Sequence, residues 1–266
     1  MALAPGVLGI VNVTPDSFFP ESRTLVPRDA VARGRAFFEA GCDAVDVGGE
    51  STRPGATPVT VDDELARVVP VVAELALLGP VSVDTTKEAV ARAAVRAGAV
   101  VINDVSCSLL ELAGELGVGY VAMHAQGPPA TMQDDPDYDD VVGEVYAFLE
   151  AQALRARRAG IGRLWIDPGI GFGKSAAHNW TLLANLDRFV ELARRFDAGV
   201  LVGTSRKRFL GGLSRPALDV EDRLEGSLAT AAWAMLCGVD LVRAHDVVAT
   251  VQLRDVVARP IAGATT

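Results

Sequence analysis

Short apolar runs recur along the chain, and each gives way to a stretch whose apolar residues fall three and four positions apart. The runs are Val7–Asn12, Ala44–Val47, Val81–Val83, Val100–Asn103, Tyr120–Met123, Leu164–Ile166, Val200–Gly203 and Leu241–Arg243. They are too continuously apolar for a one-sided antiparallel sheet, which predicts strands buried on both faces, as in parallel sheet. The stretches between them predict helices. Residues 29–40 carry Ala30, Val31, Phe37 and Phe38 at helical spacing, with Gly41 as a stop. Thr60 to Asp63 and Thr85 to Glu88 each resemble a capping box at a helix start. The alanine-rich Ala89–Ala97 ends at Gly98, and Val141–Ala159 ends at Gly160. Leu182–Phe196, Leu224–Leu236 and Val247–Val257 continue the alternation.

Eight strand–helix units in sequence predict one α/β domain over residues 1–266, a closed (β/α)8 TIM barrel. An open doubly wound sheet is the alternative. The length of 266 residues suits a single barrel, and with half of them hydrophobic a large core can be buried. No linker, charge run or repeat divides the chain, and Ala262–Thr266 reads as a frayed tail.

Composition then narrows the function. A net charge of −9 argues against nucleic acid as a partner, which needs a basic surface. It leaves open an anionic small molecule held in a local basic pocket. No long apolar stretch predicts a membrane span, and the apolar run Val7–Val11 is too short for a signal peptide. Cys42, Cys107 and Cys237 are isolated and odd in number, which suits a reducing cytoplasm and buried thiols better than disulfides or a metal. His124 and His178 lack a carboxylate or cysteine at zinc-ligand spacing, and Ser205 has no evident base.

Chemistry-bearing residues cluster directly after the strands, where a barrel carries its active site. Asn12 ends the first strand, Gly48 to Gly55 follow the second, and Asp84-Thr85 follow the third. Asn103-Asp104, Met123-His124, Asp167 to Lys174, Ser205-Arg206-Lys207 and Arg243 to Asp246 follow the remaining five. Asp84 and Asp167 can each be a helix cap or a buried ion pair; they can also accept N–H groups from an amino-pyrimidine edge. Asn103 adds a donor and an acceptor, Lys207 a donor, and Met123 and Phe172 apolar contact with a flat ring. Arg53, Arg243 and His245 suit a diphosphate together with Thr52, though surface ion pairing would also account for them. Asn12 suits a Mg²⁺ ion held mainly by phosphate oxygens and water. The glycines at 169–173 lack the spacing of a nucleotide phosphate loop.

In order along the chain, these blocks resemble the dihydropteroate synthase family. The matching segments are Gly9 to Phe18, Asp46 to Gly55, Ser82 to Thr85 and Ile102 to Ser106. They continue through Met123-His124, Asp167 to Lys174, Ser205 to Lys207 and Arg243 to Val247. The resemblance implies a transferase of folate biosynthesis. It would condense 6-hydroxymethyl-7,8-dihydropterin diphosphate with 4-aminobenzoate, and would be a sulfonamide target, a homodimer and Mg²⁺-dependent.

By position, Asp84, Asn103, Met123, Asp167, Phe172, Lys207 and Arg243 would hold the pterin. Asn12 with the metal, Thr52, Arg53, Arg243 and His245 would hold the diphosphate. Phe18, Thr52, Pro54, Ser205 and Lys207 would border the aminobenzoate. Catalysis would fall to Arg53, Asp84, Lys207, Arg243 and His245. The sequence departs from the family at Phe19-Pro20-Glu21-Ser22, where an acidic residue and two glycines are usual, and at Cys107, where glycine is usual. A methyl-transferring pterin barrel would keep Asp84, Asn103 and Asp167 without needing a diphosphate site. A catalytically silent pterin-binding homologue remains the other alternative.

Overall fold

A computed structural model describes residues 5–14, 27–51, 58–127, 131–214 and 216–259. Eight parallel strands form a closed barrel: β1 (Gly6–Asn12), β2 (Ala44–Gly48), β3 (Val81–Asp84), β4 (Val101–Asp104), β5 (Gly119–Met123), β6 (Leu164–Asp167), β7 (Gly199–Val202) and β8 (Leu241–Ala244). Each pairs with its sequence neighbours, and β8 closes on β1. The open-sheet alternative is thereby set aside. Strand bounds match the apolar runs to within one residue.

Strand parity decides what each residue faces. On β2, Val45 and Val47 are fully buried in the layer beneath the helices. Ala44, Asp46 and Gly48 take the opposite parity and point inward. Leu8, Val121 and Leu201 pack inside with Ala44, Val101, Trp165 and Leu241. The interior is therefore a filled core, and a site must lie above it, at the carboxyl ends of the strands.

The helices are α1 (Pro27–Glu39), α2 (Val61–Leu75), α3 (Glu88–Arg96), α4 (Leu110–Leu116) and α5 (Val141–Arg158), followed by α6 (Ala176–Ala184), α7 (Leu186–Arg195), α8 (Arg208–Gly211), α9 (Leu224–Leu236) and α10 (Val247–Val257). Thr60 caps α2 as expected, its hydroxyl accepting from Asp63 N–H. Gly41, Gly98 and Gly160 each follow a helix at positive φ. Two expectations fail. Thr85 is not the N-cap of α3: Lys87 takes that position, and the Thr85 hydroxyl accepts from Lys87 N–H at 3.2 Å while donating to Glu64 Oε1 at 2.6 Å. The helix expected over Leu182–Phe196 is broken at Asn185, whose φ of −120° is not helical and which ends α6 and precedes α7.

Candidate active site

Strand register assembles the rim. Asn12 lies opposite Gly48, Gly48 opposite Asp84, and Asp84 opposite Asn103, so three polar side chains and one glycine form a continuous arc. Met123 lies opposite Asp167 farther round. The residues surround a cleft of about 510 Å³ bordered by Asn12, Glu50, Asp84, Phe172, Ser205, Lys207, Arg243 and His245. A slot of about 50 Å³ runs below it between Ile10, Asp84, Asn103, Met123, Asp167 and Arg243. Phe18, Thr52, Arg53 and Pro54 lie outside the described residues.

The slot is acidic on one side. Asp167 is buried, and one carboxylate oxygen accepts from Gly169 N–H at 2.7 Å. Burial raises its pKa, against the opposing effect of Lys207 and the Gly169 N–H. Burial likewise raises Asp84, while Arg243 pulls it down and Asp46 pushes it up. Lys207 Nζ lies 4.5 Å from the centre of the Phe172 ring and donates to Ile170 O. Burial lowers the Lys207 pKa to about 8, although Asp167 opposes the shift.

Arg243 joins the two sides. Its Nε donates to Asp46 Oδ2 at 2.6 Å and its Nη2 to Asp84 Oδ2 at 2.7 Å. Burial works against its charge, but Asp46 and Asp84 together raise its pKa. The ion-pair reading of Asp84 therefore holds in this structure, alongside its place on the rim. Asp46 went unnoticed in the sequence as a single residue. The available signal was an acid flanked by Val45 and Val47 within a buried strand.

The loops above β7 and β8 are tied together. The Ser205 hydroxyl accepts from His245 N–H at 3.1 Å and lies 3.1 Å from His245 Nδ1. Ser205 thus has a histidine beside it, which the sequence did not reveal. Arg206 is buried and donates to both Asp246 oxygens, at 2.8 and 2.7 Å. This pair holds Ser205 and Lys207 in register with Arg243 and His245.

The loop after β6 has its own anchor. Lys174 is buried and reaches Phe172 O at 3.0 Å and His124 Nδ1 at 2.9 Å. Burial lowers Lys174 to about 7 and His124 to about 3, so His124 is neutral beside Lys174. Gly169, Gly171 and Gly173 all have positive φ, and the loop they shape carries Phe172. The glycines are thus backbone devices. Cys107, unusual at its position, adopts a left-handed φ of 52°, which explains why glycine suits the site. Its thiol donates to Met123 O at 3.4 Å.

Among the described residues no group of three or more His, Cys, Asp or Glu converges as a metal cage. Asn12 offers one neutral amide oxygen at the cleft. That fits an ion which keeps its waters and takes other ligands from a bound phosphate.

Comparison with known proteins agrees with this geometry. The model of the family described as "Pterin binding enzyme" matches residues 8–245. The dihydropteroate synthase of Escherichia coli (strain K12) is 44% identical over 261 residues, covering 95% of this chain and 90% of its own. The structure of the Yersinia pestis dihydropteroate synthase with a sulfonamide drug complex has a TM-score of 0.89 at 40% identity, covering 96% and 93% of the two chains. That of the Xanthomonas albilineans enzyme in complex with 7,8-dihydropteroate has a TM-score of 0.83 at 43% identity, covering 98% and 96%. An acid-lined slot beneath a cation-bearing cleft on a closed barrel, together with these matches, shows that the chain belongs to the dihydropteroate synthase family of pterin-binding enzymes.

Proposed function

We propose that the chain condenses 6-hydroxymethyl-7,8-dihydropterin diphosphate with 4-aminobenzoate, giving 7,8-dihydropteroate and diphosphate. The observation that carries this is the convergence of acids and cations at one rim: Asp84, Asn103 and Asp167 line the slot, and Arg243 and His245 border both the slot and the wider cleft above it. Acceptors suit the N–H groups of the pterin, and cations suit the leaving group. The X. albilineans enzyme binds a product that joins both substrates, which supports the same reaction here. A methyl-transferring barrel would make no use of the cationic half.

In the reaction the methylene C–O bond breaks, diphosphate leaves with the electron pair, and the arylamine nitrogen bonds to the carbon and loses a proton. The electron-rich ring stabilises the developing cation, so no protein nucleophile is required. Asp84 and Asp167 favour a ring that is becoming positive. Asn103 completes the ring contacts, Met123 and Phe172 supply apolar contact, and Lys207 donates to a ring acceptor. Arg243 and His245, with Thr52 and Arg53, stabilise the departing charge. Ser205 and Lys207, with Phe18, Thr52 and Pro54, border the incoming amine and position it for attack. Asn12 would hold Mg²⁺, which when bound supplies further charge stabilisation to the diphosphate.

The proposal extends to residues 1–266 acting as one domain, to a reducing cytoplasm, supported by three free cysteines, and to a homodimer. Exposed Trp233 and Leu236 on α9, with Val248 and Val256 on α10, would contribute to a subunit contact. Calorimetric titration with the pterin diphosphate in Mg²⁺, followed by addition of 4-aminobenzoate, tests the reaction. Binding followed by turnover supports it; binding without turnover identifies a silent homologue.

A further inference from the structure

Asp46 is fully buried on β2, inside the barrel and two residues before Gly48 at the rim. Its Oδ2 receives two donors from different strands: Asn103 Nδ2 at 2.9 Å from β4, and Arg243 Nε at 2.6 Å from β8. These partners stand 57 and 197 positions away in sequence. Both also line the slot proposed to hold the pterin.

We propose that Asp46 is a positioning residue that fixes the amide of Asn103 and tethers Arg243 by Nε, so that Asp84 can pass from Arg243 to the bound ring. This rests on the pterin reading above.

The first half follows from donor inventory. A carboxylate only accepts, so Asn103 must turn its NH₂ group toward Asp46. One N–H is then committed, and the carbonyl oxygen and second N–H remain as an acceptor–donor pair. A 2-aminopyrimidine edge presents the complement, a ring nitrogen beside an amine. Asp46 is the acceptor that selects this amide orientation.

The second half follows from the two-point hold on Arg243. Asp84 Oδ2 is occupied by Arg243 Nη2 at 2.7 Å in this structure. A ring N–H that takes Asp84 must displace that bond. Because Nε stays on Asp46, the guanidinium pivots instead of leaving, and its Nη groups turn toward diphosphate oxygens. Asp46 also keeps a countercharge beside Arg243 after Asp84 is handed over, which a buried cation requires.

The test compares wild type, D46N and D46A. Dissociation constants for 6-hydroxymethyl-7,8-dihydropterin are measured by calorimetry, and kcat and KM as a function of pH. D46N keeps an oxygen for both donors but loses the charge. It is expected to bind the pterin within about threefold of wild type while kcat falls about tenfold or more. Asp84 faces Arg243 of β8, Asp46 of β2, Glu64 of α2 and Asp104 of β4. Removing the Asp46 charge lowers the Asp84 pKa, so the acid limb of kcat/KM moves to lower pH, which a purely structural role would not produce. D46A loses the amide orientation as well and is expected to weaken pterin binding about tenfold or more. If D46A does not fold, the isosteric D46N carries the test. Folded D46N with kcat and acid limb unchanged overturns the role of Asp46 alone. A wild-type chain that neither binds the pterin nor turns over overturns the functional reading beneath it.

Discussion

Arg243 and Asp84 stand 159 positions apart and meet through Nη2 and Oδ2 at 2.7 Å across the mouth of the barrel. Both line the slot proposed for the pterin, and Arg243 is proposed to face the diphosphate as well, so in that proposal the carboxylate that holds the cation must also receive the ring. Asp84→Asn keeps the shape but cannot favour a ring that is becoming positive. Turnover is expected to fall about a hundredfold, or about 2.7 kcal/mol, while affinity for inorganic diphosphate changes little. Equal losses in both, measured by steady-state kinetics and calorimetry, would count against this role.

The pH dependence follows from opposite shifts at two carboxylates and one lysine. Burial holds Asp84 and Asp167 above the usual carboxylate range, and in their proposed role they accept ring N–H groups most strongly when ionised. Burial holds Lys207 down at about 8, and it donates only when protonated. As pH rises, kcat/KM should therefore climb through an acid limb displaced upward from ordinary carboxylates, then fall near pH 8. Lys207→Met should abolish the basic limb and cost about 1.5–3 kcal/mol in kcat/KM. A wild-type profile that stays flat well above pH 8 would contradict the assignment.

Two glycines of similar φ provide a stability contrast. Gly169 (φ +69°) sits where an added Cβ would collide with the His124 carbonyl oxygen. Gly160 (φ +74°) has nothing within 4 Å of that position. Gly160→Ala is expected to cost about 1 kcal/mol, the left-handed backbone alone. Gly169→Ala adds the clash and moves the loop that carries Phe172, for roughly 3 kcal/mol or more. Urea denaturation of the two variants measures the difference; equal costs would show that the β6 loop is not so tightly seated.

The thiols should be bystanders. Cys42 and Cys107 are buried, and burial pushes both up to about 12. Cys237 is only partly buried. Iodoacetamide should modify Cys237 first, as read by mass spectrometry, with turnover unchanged. Loss of turnover in step with labelling would demand a thiol in the mechanism.

The strands were legible because burial on both faces leaves nearly continuous apolar runs, as in Tyr120, Val121, Ala122 and Met123 of β5, all buried. The rim was legible because parallel barrels expose the residues that follow each strand. Features that depend on tertiary partners were not. Thr85 looked like a helix cap until Glu64, 21 positions away, took its hydroxyl. Asn185 carries no breaker signature comparable to glycine or proline, yet the break between α6 and α7 falls on it. Asp46 reads as an odd acid within a strand; its meaning comes from Asn103 and Arg243 converging on one oxygen. The Ser205–His245 and Arg206–Asp246 contacts each span 40 positions and required barrel closure to become visible.

The most direct measurement is a single-turnover reaction of the purified chain with pterin diphosphate, 4-aminobenzoate and Mg²⁺, with both products quantified by chromatography and mass spectrometry. Equal amounts of 7,8-dihydropteroate and diphosphate are predicted, with no coupled product when the arylamine is withheld. Tight binding of the pterin diphosphate with no dihydropteroate formed, or diphosphate released by water alone, would contradict the account.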